Sequence, residues 1–449
     1  MTSDLNTIHK RLLQVRDSLA AITLDLATHL DPTGAPPPAP DLPPPPPVPP
    51  LITPPTGGLT RVFYDEAASL QARRIVTTDA NGSVAHYAHI AGGCEIMLPQ
   101  GQVRLPAWGA IVLDRNARYQ GPRTIRIVGQ ADTVLSSTDG GLALSNRTPF
   151  PVAFDLSDFT LHSLSWSGDA LDIRWPCNVT LVRVHVTGGK NCLFSGAGAI
   201  NISATDCTFS DGGRPSGEEH IAYLGYINDV RLVRCQFRAP VASEGHALKC
   251  YSKWLYLRDC TISQGEPDEP EFHSLSIPFD RGAWGETYAA GNIFVRNHPQ
   301  SRPHFMNLQN RRYPAPLNYV EDTTWGTVEV DYHGVDNRDV DNPLLFKHVF
   351  TGNTFVNTAD DRGVLIWNNG TAPWDRTVRG RKDVRPVPSD WELKHERCVA
   401  YMHNSIVTGR PIHAVGETIP YLQRNSPGVR PRVVELDELP ATLLAMAER

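Results

Sequence analysis

The sequence predicts an all-β chain, a right-handed parallel β-helix (solenoid), with an N-terminal α-helical coiled coil and a Pro-rich stalk. Three observations predict it. A heptad seam opens the chain, a proline tract follows, and a short β-rich unit then recurs through the remainder.

The seam is Leu5, Ile8, Leu12, Val15, Leu19, Ile22 and Leu26, alternating three and four residues apart. Leu falls at every a position and Ile or Val at d, which favours trimers or tetramers over dimers. Residues 1–30 are therefore an oligomerisation helix. Residues 31–58 hold Pro36 to Pro38, Pro43 to Pro47 and Pro54-Pro55. Such a tract forms neither helix nor sheet ladder and adopts extended polyproline II, a semi-rigid spacer.

The repeat occupies residues 59–434. An alternating segment leads into Cys or Asn, one residue, and a hydrophobe. Copies are Val230 to Phe237 around Cys235, Leu255 to Ile262 around Cys260, and Ile200 to Phe209 around Cys207. Later copies centre on Asn292, Asn353 and Asn404. Cys207, Cys235, Cys260 and Asn292 lie 28, 25 and 32 residues apart. Units of this length without helical patterns between them fit a coil of parallel strands, each turn pairing with the turns above and below. The Cys and Asn side chains then stack inward, Asn hydrogen-bonding along the stack. Residues 435–449 read as a helix or cap over the open end.

Composition narrows the function. The net charge of −6 gives no reason to expect nucleic acid or anionic membrane as a partner. No run of about 18 apolar residues offers a membrane span, and charged residues interrupt every candidate signal peptide. The eight cysteines include no CxxC pair or zinc-finger spacing, so buried reduced thiols are expected and no metal site.

Gly92-Gly93-Cys94-Glu95-Ile96-Met97-Leu98-Pro99-Gln100-Gly101 resembles the opening turn of pectate-lyase-like β-helices, and Thr124 to Gly129 resembles their next turn. The resemblance covers residues 60 to about 410. It implies the fold, and a superfamily that includes pectinolytic enzymes, alginate lyases, phage tailspikes and inactive adhesins.

Within the repeat lies a second one, Glu-x-His: Glu218-Glu219-His220, Glu244-Gly245-His246 and Glu271-Phe272-His273. The histidines are 26 and 27 residues apart, about one turn, so His220, His246 and His273 are expected to stack, with His304 continuing the column. Two readings stand. Either the column faces a groove and supplies acids or bases, or each His is a satisfied core residue at a strand start. The alternate face should carry Tyr223, Lys249, Ser276 and Asn307. His220 to Gly225 and Gly245 to Lys249 are similar to a subgroup of bacterial and phage β-helix proteins with His-x-x-Tyr-x-Gly followed by Gly-His-x-x-Lys-Ser-Arg. Cys250-Tyr251 replaces Ser-Arg here.

Sugar cleavage by a lyase needs a base and a cation or calcium beside the uronate carboxyl. His246, Lys249 or Tyr223 fits the first role and Arg281 the second. A hydrolase needs two carboxylates, for which Glu218, Glu244 and Asp280 are candidates. The expected catalytic face is His220, Tyr223, His246, Lys249, His273, Asp280 and Arg281. Binding contacts are expected from Glu218, Glu244, Ser276 and Asn307, with Tyr251, Trp254 and Trp284 as exposed stacking rings. No cofactor is expected, save calcium if the chemistry is that of a lyase. Residues 311–346 and 370–394 are long polar insertions that should wall a groove or meet a neighbouring subunit.

The leading functional expectation is a phage tail protein of tailspike or tail-fibre type in the virion tail. It would be a homotrimer joined to other tail or baseplate proteins through its N-terminal region, binding bacterial surface polysaccharide, with depolymerisation of that glycan left open. A cellular polysaccharide lyase or hydrolase, and a non-catalytic adhesin or virion structural protein, are the alternatives.

Overall fold

The structure, a computed structural model, describes residues 58–264 except 115–120, 131, 175–176, 196–198, 214–218, 226, 240–244 and 253. Beyond 264 it describes 279–281, 286–296, 304–308, 319–323, 326–330, 347–357, 363–368, 399–403, 406–409, 412–413 and 432–434. The heptad seam, the proline tract and the C-terminal helix expected at 435–449 lie outside the described residues.

The described chain is a parallel β-solenoid whose turns carry three strands each. One turn runs Asp229–Val233, Gln236–Ala239 and Leu248–Cys250, and the next Trp254–Arg258, Thr261–Gln264 and Phe279–Arg281. Each strand pairs in parallel with its counterparts one turn before and one turn after. The first and second faces merge into a 21-stranded sheet, because the 12-residue strands Val152–Ser163 and Cys177–Gly188 run through both. The third face is a separate 10-stranded sheet from Gly109–Leu113 to Ile412–His413.

Strand alternation sends every second side chain inward, and register stacks those side chains in columns. On the first face Ile96, Ile127, Leu156, Leu181, Ala204, Leu232, Leu257, Ala289 and Phe350 follow one another, each at most 2% exposed. On the second, Phe209 stacks on Phe237 and Phe294 on Phe355, each pair with centroids 5.0 Å apart. Each large aliphatic or aromatic side chain buried this way contributes about 1.5–3 kcal/mol.

The bend between the first two faces explains the Cys/Asn repeat. Phe159, Val184, Cys207, Cys235, Cys260, Asn292 and Asn353 occupy it in successive turns. The residue before each turns the chain with positive φ: Asp158, Arg183, Asp206, Arg234, Asp259, Gly291 and Gly352. Non-glycine residues strain at such angles, and here Asp and Arg alternate up the column. Arg183 bridges Asp158 with bonds of 2.6 and 2.9 Å, and Arg234 bridges Asp206 at 2.6 and 2.8 Å. Inside the bend, Asn292 Nδ2 donates to Asn353 Oδ1 at 2.9 Å, the ladder expected from the sequence. Cys207, Cys235 and Cys260 are buried thiols on consecutive turns, as are the other cysteines among the described residues. Burial pushes the Cys235 thiol well above its ordinary range, which suits a core filler.

Two features were not read from the sequence. A short helix, Glu66–Ala72, sits between the first two strands, its N-terminus capped by Asp65 accepting from the Ala68 N–H at 3.0 Å. Within the insertion at 311–346, Tyr319–Thr323 and Gly326–Val330 form an antiparallel hairpin, a two-stranded sheet of its own. The insertion at 370–394 lies outside the described residues.

Candidate functional site

The third face and the bend that leads into it position the candidate residues. The pairing of Leu171, Leu193, Ala222 and Leu248 fixes a row two residues upstream: Asp169, Asn191, His220 and His246. This row is a hydrogen-bonded ladder. Asn191 Nδ2 donates to Asp169 Oδ1 at 2.6 Å. The His220 N–H donates to Asn191 Oδ1 at 2.7 Å, and the His246 N–H donates to His220 Nδ1 at 2.8 Å.

His220 is therefore a rung. It is 5% exposed and stacks on His246 and Tyr223 with centroids 5.0 and 5.5 Å apart. An Nδ1 that accepts a backbone N–H requires a neutral ring with its proton on Nε2. Burial, then the charges of Lys249 and His246, holds its pKa well below the ordinary value. Of the two readings of the histidines, the geometry gives His220 the satisfied core position. His246 is only partly buried.

The row does not continue as the Glu-x-His repeat suggested. Lys249 pairs with Asp280, so the next third-face strand is Phe279–Arg281, and residue 273 is six positions upstream of Phe279, not two. The 31-residue step from Lys249 to Asp280 includes an insertion that the even His spacing concealed. His304, two positions before Met306, does return to the row. His273, Ser276 and Trp284 lie outside the described residues, as do Glu218 and Glu244.

The alternate row runs Asp172, Phe194, Tyr223, Lys249, Asp280, Asn307 and Trp367 in register. It contains Tyr223, Lys249 and Asn307 as expected, with Asp280 in the place given to Ser276. Arg281 follows Asp280 in the same strand. Tyr223 stacks on Phe194 with centroids 5.4 Å apart. Lys249 Nζ lies 5.4 Å from the centre of the Tyr223 ring and 5.7 Å from that of Tyr251. Tyr251, expected as an exposed stacking ring, is 6% exposed because it packs beside Tyr223 and Lys249. Trp254 is partly buried. Lys249 thus presents an ammonium beside two aromatic rings, an arrangement worth about 0.5–2 kcal/mol, with an acidic residue next along the axis.

Three carboxylates were not among the expected site residues. Glu219, the middle residue of the first Glu-x-His, is mostly buried, its Oε1 3.8 Å from Lys190 Nζ. Asp172 is 5% exposed and bonds the Arg174 guanidinium, Nε to Oδ2 at 2.6 Å. Burial, offset in part by the Asn191 bond, pushes the Asp169 carboxyl up to about 6. The folded chain therefore holds that proton more tightly than the unfolded chain. This term costs stability above pH 6 and fades as pH falls toward 4. Asp169→Asn keeps the Oδ1 acceptor without the charge. It should stabilise the fold by about 1–3 kcal/mol at pH 7 and by nothing at pH 4. Urea titrations at the two pH values check this, and an equal effect at both would refute the assignment.

Among the described residues no group of three or more His, Cys, Asp or Glu side chains is placed to hold a metal ion. No helix among them is long and apolar enough to cross a membrane. No protein-family model matches the chain, and neither the curated proteins nor the solved structures contain a match. The fold is a parallel β-solenoid of the kind the β-helix superfamily shares.

Proposed function

We propose that the protein is a phage tail protein of tailspike or tail-fibre type that binds bacterial surface polysaccharide along the third face of its solenoid. The observation that carries this reading is the row Phe194, Tyr223 and Lys249, two stacked rings leading to an aromatic-flanked cation, with Asp280 and Asn307 next in register. Rings stack on the apolar faces of sugars, while the ammonium and carboxylate take hydroxyls or a sugar carboxylate. A parallel coil repeats such contacts at about 4.8 Å, suiting a repetitive ligand. The heptad seam and proline stalk support a homotrimer carried on other tail proteins, its coil right-handed as parallel crossovers are. Cleavage is the stronger form of the proposal. It gives proton transfer to Lys249 or Tyr223, with Asp280 or Arg281 at the substrate.

The test mixes the full chain with a panel of bacterial surface polysaccharides and reads binding and particle mass by light scattering. Three chains per particle and at least one bound glycan are expected. Lys249→Ala should weaken binding by about 10-fold or more, the scale of one charge-assisted hydrogen bond. If the site is catalytic, turnover should drop by about 100-fold with the melting temperature unchanged. Unsaturated ends in the products would mark a lyase. Normal binding by a folded Tyr223→Ala, Lys249→Ala double mutant would remove this face from the reading.

A further inference from the structure

We propose that the bend at Trp108 is a separate glycan subsite, built to stack one neutral hexopyranose ring against the indole. It rests on the glycan-binding reading above and adds a second contact point and a sugar class.

Trp108 stands just before the third-face strand Gly109–Leu113, at φ 54° and 49% exposed. A bulky residue at that angle is strained where glycine would not be. Its ring lies on a floor of two glycines. A Cβ on Gly140 would come 2.9 Å from Trp108 Cε3, and one on Gly168 2.7 Å from Cζ3. These glycines occupy the same bend on the next two turns. One face of the indole therefore rests on backbone, and the exposure belongs to the other. A half-exposed indole on a strained backbone is a poor way to close a bend, and a ring laid flat with one open face is a good way to meet a sugar's C–H face.

The rim fixes the class. Asp139 precedes Gly140, and its backbone carbonyl accepts the Trp108 N–H at 2.9 Å. Ser167 Oγ donates to Asp139 Oδ1 at 2.6 Å, which holds that carboxylate in place. A carboxylate there accepts hydroxyl protons and repels a uronate, so the ring beside it is neutral. Trp166 and Leu164, 42% and 56% exposed, lie in the loop that carries Gly168. The Trp108 and Lys249 turns are five register steps apart, roughly 24 Å at 4.8 Å per turn. That is within reach of one oligosaccharide lying along the axis.

The test is saturation-transfer NMR on the full chain with methyl glucopyranoside, methyl galactopyranoside, N-acetylglucosamine and glucuronate as probes. At least one neutral probe should receive transfer at its ring C–H protons and glucuronate should not. Trp108→Gly, which suits the backbone angle, and Gly168→Ala, which lifts the ring, should each cut that transfer about fivefold or more, the scale of one aromatic contact. The melting temperature of Trp108→Gly should be kept or raised. Transfer unchanged in Trp108→Gly, transfer to glucuronate alone, or a melting temperature lowered by several degrees in Trp108→Gly would each overturn the subsite. Polysaccharide binding that needs Lys249 but not Trp108 would sink the subsite and leave the tail function standing. Neutral-sugar binding that needs Trp108, with no surface polysaccharide bound, would do the reverse.

Discussion

Asn292→Ala is expected to destabilise the solenoid by about 3 kcal/mol or more. The side chain is fully buried and serves three turns at once. Its Oδ1 accepts the Cys260 N–H at 2.9 Å, and its Nδ2 donates to Leu257 O at 3.2 Å and to Asn353 Oδ1 at 2.9 Å. Alanine strips the Cys260 N–H of its acceptor and leaves an amide-sized void beside it. Each buried group left unsatisfied costs about 1–3 kcal/mol, and the void adds to that. Asn292→Cys should cost less, because the bend already takes Cys at 207, 235 and 260, where Cys260 Sγ donates to Leu232 O at 3.3 Å. Stacked turns need not unfold in one step. The measurement is therefore the denaturation midpoint together with hydrogen exchange at the Cys260 amide. If that amide exchanges no faster in Asn292→Ala, the ladder is not what protects it.

The same bend shows what the sequence could and could not convey. Cys207, Cys235, Cys260, Asn292 and Asn353 were legible because few residues satisfy an inward bend, so their recurrence stands out against variable surroundings. Phe159 and Val184 fill the identical position two turns and one turn before Cys207, yet they are ordinary core residues. There the strand runs on unbroken for 12 residues, so nothing marks the turn. The Asp and Arg residues at positive φ were hidden for a related reason. Their pairing is across turns, 25 and 28 residues apart, and becomes visible only once register is known.

At the candidate site, the outward row was read correctly through Tyr223 and Lys249 because strand alternation is local. It was lost at the next turn, where an insertion broke the period and Asp280 took the place expected for Ser276. The histidines were legible as a stack but not as a ladder. Whether a ring offers its nitrogen to a substrate or to a backbone N–H depends on how closely the turns approach, and that distance is set by a neighbour. At His246 the neighbour is Gly245.

Gly245→Ala should be among the most damaging single substitutions in the third face, costing about 3 kcal/mol or more. A Cβ there would lie 1.5 Å from the Glu219 carbonyl oxygen and 2.7 Å from His220 Nδ1. Neither atom can yield cheaply. The Glu219 carbonyl is backbone, and His220 Nδ1 is committed to the His246 N–H. The turns would have to separate by more than an ångström, which also breaks the bonds from Ile221 N to His246 O and from Ala222 N to Ala247 O, both 3.1 Å. A glycine without such a neighbour supplies the control. Gly82, unlike Gly245, has positive φ, and nothing lies within 4 Å of an added Cβ, so Gly82→Ala should cost only about 1 kcal/mol, the backbone penalty alone. Thermal melts compare the two, and hydrogen exchange at the Ile221, Ala222 and His246 amides localises the damage. A Gly245→Ala protein as stable as Gly82→Ala would mean the turns do not approach this closely, and His220 would then be available to a ligand after all. If the damage is as large as expected, Lys249 should be displaced too. It lies four residues downstream on the same strand entry, and its place over the Tyr223 ring depends on the register that Gly245 permits. The Gly-His pair would then be explained by packing, and the chemistry of the face would rest on Tyr223 and Lys249.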